Sequence, residues 1–290
     1  MNLLPNTLFK HMHKGFTLIE MLVVMVILGI GAAMAIGYIL YPIEAFNDMS
    51  LRARLTERAD VALYRMTREI RQGIPNSIRI SSTPNLVAIE VLQMRTAGRY
   101  RASGTGDVLD FTVDADSFDV LGSLPGFGTV QTGSAGIGNC QNNSADCLVI
   151  YNTGTSATAN NAYASDNVAV ITSASFNSLS FNNADGNPAF PLQSPAQRFY
   201  ISRGPVSFVC NKASGQIMRY SGYGLLATQP INPGDFSSTG SLLTDSVNDC
   251  NFNYIEGTNS RNGVVTLELS IAESGEAVTL LQQAHIFNSP

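Results

Sequence analysis

The run Lys14-Gly15-Phe16-Thr17-Leu18-Ile19-Glu20 sets one carboxylate at the head of a segment that stays free of charge as far as Tyr41. A carboxylate at mid-bilayer costs roughly 2.5–3.5 kcal/mol on insertion scales, and less near an interface, so an acid kept here points to function. Its natural partner is a cation carried into the same apolar surroundings. Were the chain cut after Gly15, the new α-amino group of Phe16 would be such a cation, about one helical turn from Glu20.

The other candidates for chemistry are fewer. Cys140, Cys147, Cys210 and Cys250 form an even set with no C-x-x-C spacing, which favours structural disulfides over a zinc or redox centre. Four cysteines permit three pairings, and sequence does not choose among them. We expect Cys140 with Cys147, closing the polar loop 141–146, and Cys210 with Cys250, tying the C-terminal region together, at about 2–4 kcal/mol each. Histidine occurs at His11, His13 and His285 only. The chain past the apolar run therefore holds one imidazole, with no nucleophile elbow or phosphate loop beside it, and no enzymatic activity is expected. Asp107, Asp110, Asp114, Asp116 and Asp119 crowd one segment, but they follow no calcium-loop pattern. Residues 108–113 alternate as on a half-buried strand, so a solvated acidic face is expected, with no metal and no cofactor.

These residues need elements to carry them. The stretch from Met21 to Ile43 lacks Asp, Glu, Lys and Arg, and exceeds the roughly 20 residues that span a bilayer. Gly29, Gly31 and Gly37, with Ala32, Ala33 and Ala35, make one side of that helix thin enough for another helix to approach. Ala33-Met34-Ala35 looks like a secretory cleavage site behind the basic stretch from Lys10 to Lys14. Glu20 would then interrupt the apolar core of a signal peptide, and the hydrophobic run continues through Ile39 and Leu40, so this route is disfavoured. Basic residues flank the span on both sides, Lys10 and Lys14 before it and Arg52, Arg54 and Arg58 after it, so charge alone does not orient it. Persisting disulfides require an oxidising compartment, which puts the chain after the span outside the cytoplasm.

Beyond the span, Leu51, Leu55, Ala59, Ala62, Met66 and Ile70 recur every three or four residues and mark one apolar helical face flanked by arginines. Pro42 is a candidate kink, and Gly73-Ile74-Pro75 ends the helix near Gln72. A helix from Phe16 to about Gln72 would measure roughly 85 Å. Short strand patterns follow at 77–80, 86–93, 108–113, 147–151, 168–171, 178–181, 198–201, 206–210, 216–220, 249–254 and 264–271. With Gly204-Pro205 read as a turn, residues 199–220 form a three-stranded meander. The expected class is α+β: a long N-terminal α-helix, membrane-spanning in its first half and amphipathic in its second, packed on one or two antiparallel β-sheets.

The segment from Lys14 to Val24 resembles the cleavage and methylation signature of type IV pilin precursors and their pseudopilin relatives. The resemblance implies a leader over 1–15 removed after Gly15 by a prepilin peptidase, N-methylation of Phe16, and a type IV pilin-like fold. It further implies an assembly helix over 16–41, a stem over 42–72 and an exported domain over 73–290. In that family the acid matching Glu20 pairs with the amine of a neighbouring subunit. Such a buried pair sets register more than it adds stability, because losing one partner strands the other. Residues 65–71, 74–77 and 199–220 further resemble the large minor pilins of mannose-sensitive haemagglutinin-type pili. The J-type pseudopilins of type II secretion share the general plan, and a tip adhesin on the same stem is a third possibility. The implied partners are other major and minor pilins, the prepilin peptidase and methyltransferase, and an inner-membrane assembly platform. The implied location is the bacterial inner membrane with a periplasmic domain, then the pilus surface. With 22 acidic against 17 basic residues, nucleic-acid binding is not expected. Arg52, Arg54, Arg58, Arg65, Arg68 and Arg71 are interspersed with Glu57, Asp60 and Glu69, as on a solvated or subunit-facing helix side.

Overall fold

The computed structural model describes residues 15–112, 115–134, 138–156, 160–182, 190–258 and 261–288. The expected leader, with Lys10, His11, His13 and Lys14, therefore lies outside the described residues apart from Gly15, as do Val113 and Asp114. The chain falls into two compact units, Met1–Leu51 and Arg52–Pro290.

Helix α1, Leu18–Arg71, contributes to both. In the first unit it holds Pro42 within its span, and its described side chains are exposed throughout the apolar run. Among the described residues it is the one helix long and apolar enough, by length and composition, to cross a membrane.

In the second unit the helix turns one face inward. Leu55, Ala59, Ala62, Leu63, Met66 and Ile70 are all buried, as a 3.6-residue period requires. Polar ties hold this face to the sheets: Arg52 to Glu276 at 2.6 Å, Arg58 to Glu273 at 3.1 Å, and Gln93 donating to the Glu69 carbonyl at 2.9 Å. The helix stops where its backbone finds a better partner. Ile74 N–H donates to the Leu92 carbonyl at 2.8 Å and Met94 N–H to the Gln72 carbonyl at 3.1 Å, so the chain leaves the helix as a bridge onto a strand.

The strands are β1 Arg79–Ser82, β2 Leu86–Arg99, β3 Ser117–Asp119, β4 Cys147–Ile150, β5 Val168–Ala174, β6 Ser178–Asn182, β7 Arg198–Asn211, β8 Gln216–Ser221, β9 Ser241–Thr244, β10 Val247–Ile255, β11 Gly263–Glu273 and β12 Glu276–Ile286. Among the described residues they make two antiparallel sheets. One runs β1-β2-β7-β4-β5-β6-β3, with β8 on β7 and β9 on β8, and the other is β10-β11-β12. This is the expected α+β arrangement. β7 is buried along nearly its whole length, as a central strand covered on both faces must be. β11 alternates instead, burying Val265, Leu267, Leu269 and Ile271. Cys210 on β7 is bonded to Cys250 on β10 with Cα atoms 6.7 Å apart, so one disulfide joins the two sheets. Cys140 is bonded to Cys147 at the head of β4, with a Cα separation of 5.8 Å.

Several expectations need correction. Residues 108–112 are not a strand. The Asp110 carboxylate accepts from both the N–H and the hydroxyl of Thr112, at 2.8 and 2.7 Å, and this local turn outcompetes sheet pairing. Leu109 still reaches the core, so the alternation recorded burial without a ladder. Gly204-Pro205 is not a turn between two strands. Both lie inside β7, where Gly204 takes φ +93° and the β2 partner shifts register between Leu92 and Met94. Residues 199–220 are therefore one long strand and a hairpin, not a meander. β3, β9 and β12 lie beyond the expected strands. β12 was signalled by Ser274-Gly275, both at positive φ in a two-residue hairpin that pairs Glu273 with Glu276.

Candidate assembly site

Helix α1 starts on Thr17. Its hydroxyl accepts from Glu20 N–H at 3.3 Å and its carbonyl accepts from Met21 N–H at 3.2 Å, so Thr17 is the N-cap and Glu20 the third helical residue. Thr-x-x-Glu is the sequence form of a capping box, a signal by which Thr17 was legible. The cap fixes the first turn, and with it the position of Glu20 relative to Phe16. A carboxylate in the first turn also meets the positive end of the helix dipole, a favourable placement worth about 0.3–1 kcal/mol. Phe16, Leu18 and Ile19 are exposed, and every apolar residue of this turn lacks cover from its own chain.

The glycines of this unit are not required by its own packing. A Cβ added at Gly15, Gly29 or Gly31 would meet nothing within 4 Å. The family model described as the prokaryotic N-terminal methylation motif matches residues 10–36, the span that holds Gly15, Phe16, Thr17 and Glu20. The chain carries the N-terminal methylation motif of pilin-like proteins. No curated protein and no solved structure matches it significantly. The motif, the apolar helix that carries it and the antiparallel sheets make an α+β arrangement consistent with a type IV pilin-like fold.

In the second unit of this pilin-like chain, the polar machinery is structural. Glu90 is fully buried on β2, its carboxylate 2.5 Å from Arg79 Nε and accepting from the Tyr223 hydroxyl at 3.0 Å. Burial raises the Glu90 carboxyl above its ordinary value of 4.5, and the attraction of Arg79 and the two hydrogen bonds do not fully offset that desolvation. Arg79 also lies 3.6 Å over the Tyr163 ring and donates to the Leu226 and Ala227 carbonyls at 2.8 and 2.9 Å. Tyr163 in turn donates to the Ser77 carbonyl at 2.8 Å, pinning the segment that leaves α1. Burial raises the Tyr163 and Tyr223 hydroxyls well above the usual phenol value, so both remain donors. A second buried pair, Arg95 with Asp146 at 2.5 Å, anchors the loop before β4. Sequence reasoning passed over all of these residues. Glu90, an acid inside Ala88-Ile89-Glu90-Val91-Leu92, was the available signal.

The described acidic residues after Arg101 are occupied locally. Asp107 accepts from Ser117, while the Asp119 carboxylate accepts from Asp107 N–H at 3.1 Å and faces Arg101 at 3.3 Å. Asp110 serves its own turn, and no metal-ligating cluster occurs among the described residues. His285 is exposed on β12, opposite Val264.

Proposed function

We propose that this chain is a structural, non-enzymatic minor pilin, cleaved between Gly15 and Phe16, N-methylated on Phe16, and incorporated into a filament through Glu20. The observation that carries the reading is Glu20 itself. It is the one acid in the first turn of an apolar helix whose described side chains are uncovered, within a methylation motif. The amine left on Phe16 would stand at the positive end of the helix dipole, where a cation is disfavoured. A carboxylate from a neighbouring subunit relieves that cost, and the neighbour's amine relieves the desolvation of Glu20. Glycines that leave open space in the single chain support close approach by sister helices.

The finer reading is a subunit like the minor pilin MshO of mannose-sensitive haemagglutinin-type pili, resting on residues 65–71, 74–77 and 199–220. Its partners are then major and minor pilins, a prepilin peptidase and methyltransferase, and an inner-membrane assembly platform. Disulfides at Cys140–Cys147 and Cys210–Cys250 support an oxidising, periplasmic location for the globular unit.

Mass spectrometry of the mature chain is expected to give an N-terminus at methylated Phe16. Glu20→Ala or Glu20→Gln should leave cleavage largely intact and sharply reduce recovery of the subunit in sheared filaments. Normal recovery of both variants would refute the pairing.

A further inference from the structure

Arg65, Arg68, Arg95, Arg203 and Arg219 line one cleft of about 570 Å³ in the second unit, where Glu69 is the single acid among the lining residues. The cleft opens where β7 changes neighbours. β4 pairs with it up to Ser202 and β8 from Val206 onward, so on the side away from β2 residues 203–205 have no strand partner among the described residues. The last turns of α1 form one wall and the end of β8 the other.

Three of the arginines already hold carboxylates. Glu69 is met by Arg65 Nε at 3.2 Å and by Arg219 Nε at 2.8 and 3.0 Å, while Arg95 is committed to Asp146. Arg68 and Arg203 are exposed and carry no ion pair among the described residues. The cleft therefore keeps an excess of positive charge, with two guanidinium forks left to engage a ligand.

We propose that this cleft binds an acidic peptide segment of a partner protein, whose carboxylates meet Arg68 and Arg203 as Glu69 meets Arg65 and Arg219. The lining chemistry favours a peptide. Gln72, Gln93 and Asn143 supply side-chain amides that both donate and accept, matching the N–H and C=O groups of a backbone. No lining residue offers an aromatic face on which a sugar ring could stack. The floor at Gly204 is bare backbone. A Cβ there would stand 2.3 Å from Asn143 Oδ1, so the cleft narrows as soon as a side chain is added.

The test uses the full chain in detergent micelles and a fluorescein-labelled hexapeptide of alternating glutamate and glycine, read by anisotropy at low and high salt. Binding is expected at low salt, weakening with added salt as exposed charges are screened. Arg68→Gln with Arg203→Gln should weaken it about tenfold or more, the loss of two charge-assisted contacts. Arg54→Gln, an exposed stem arginine outside the cleft, should leave it unchanged. Equal affinity in the double variant, no binding at low salt, or preference for a sulfated oligosaccharide over the peptide would each overturn the proposal. Both substitutions are at exposed positions, and an unchanged circular dichroism spectrum verifies the fold. The readout needs no filament, so it stands apart from the role of Glu20.

Discussion

Two lone carboxylates in apolar surroundings are treated in opposite ways. Glu20 has no partner cation in its own turn, and under the proposed function its partner is a group supplied from outside the helix. Glu90 is satisfied internally by Arg79 and Tyr223. Removing Arg79 strands a buried charge, and we expect Arg79→Met to destabilise the globular unit by about 3–5 kcal/mol near neutral pH. The double variant Arg79→Met/Glu90→Gln should recover most of that loss in chemical denaturation; a double variant no more stable than the single one would show that packing of the Arg79 stem dominates. Because the folded state raises the Glu90 carboxyl, the fold binds that proton more tightly than the unfolded chain does. Its contribution is therefore fully present below about 4.5 and is lost as pH rises through the folded value. The stability of the wild-type protein relative to Glu90→Gln should fall across that window, and a difference that is flat or rising with pH would contradict the direction. Glu20 was legible because the cost of its neighbours is written in the sequence. Arg79 was not, since only the β1–β2 register places it opposite Glu90.

At the scale of elements, the end of α1 decides how the helix meets the sheets. Proline and glycine after residue 72 announced a stop, but the cause visible in the fold is competition: Gln72 and Ile74 bond across to β2. Gly73 sits so close to that strand that an added Cβ would lie 2.2 Å from Val91 Cγ2. Gly73→Ala should cost about 1–3 kcal/mol through overpacking. Thermal denaturation checks this, and an unchanged midpoint would mean that Val91 can rotate away freely. Strand existence was readable wherever apolar alternation coincided with a ladder, as in β10 and β11. It failed at residues 108–112, where an Asp side chain captured the backbone, and at β12, whose outward face is largely exposed and carries little periodic signal.

For the whole molecule, the disulfide between Cys210 and Cys250 links β7 of the large sheet to β10 of the small one. Its 40-residue separation gives a loop-closure term of about 4 kcal/mol, against about 2 kcal/mol for the 7-residue loop of Cys140–Cys147. Cys210→Ser/Cys250→Ser should therefore lower stability more than Cys140→Ser/Cys147→Ser, and should loosen amide protection in β10–β12 before the large sheet. Hydrogen exchange on the two variants separates these effects; the reverse order would assign the staple to the wrong pair. The apolar span, the methylation motif, the amphipathic stem and the even cysteine set were determined by sequence alone, because each is a local pattern whose meaning is fixed by spacing. The tertiary structure decided which cysteines face each other, which arginine satisfies Glu90, and where five arginines converge. Those outcomes depend on strand order and register, which bring together residues from 7 positions apart at Cys140–Cys147 and 11 at Arg79–Glu90 to 150 at Glu69–Arg219, and leave no local mark on the chain.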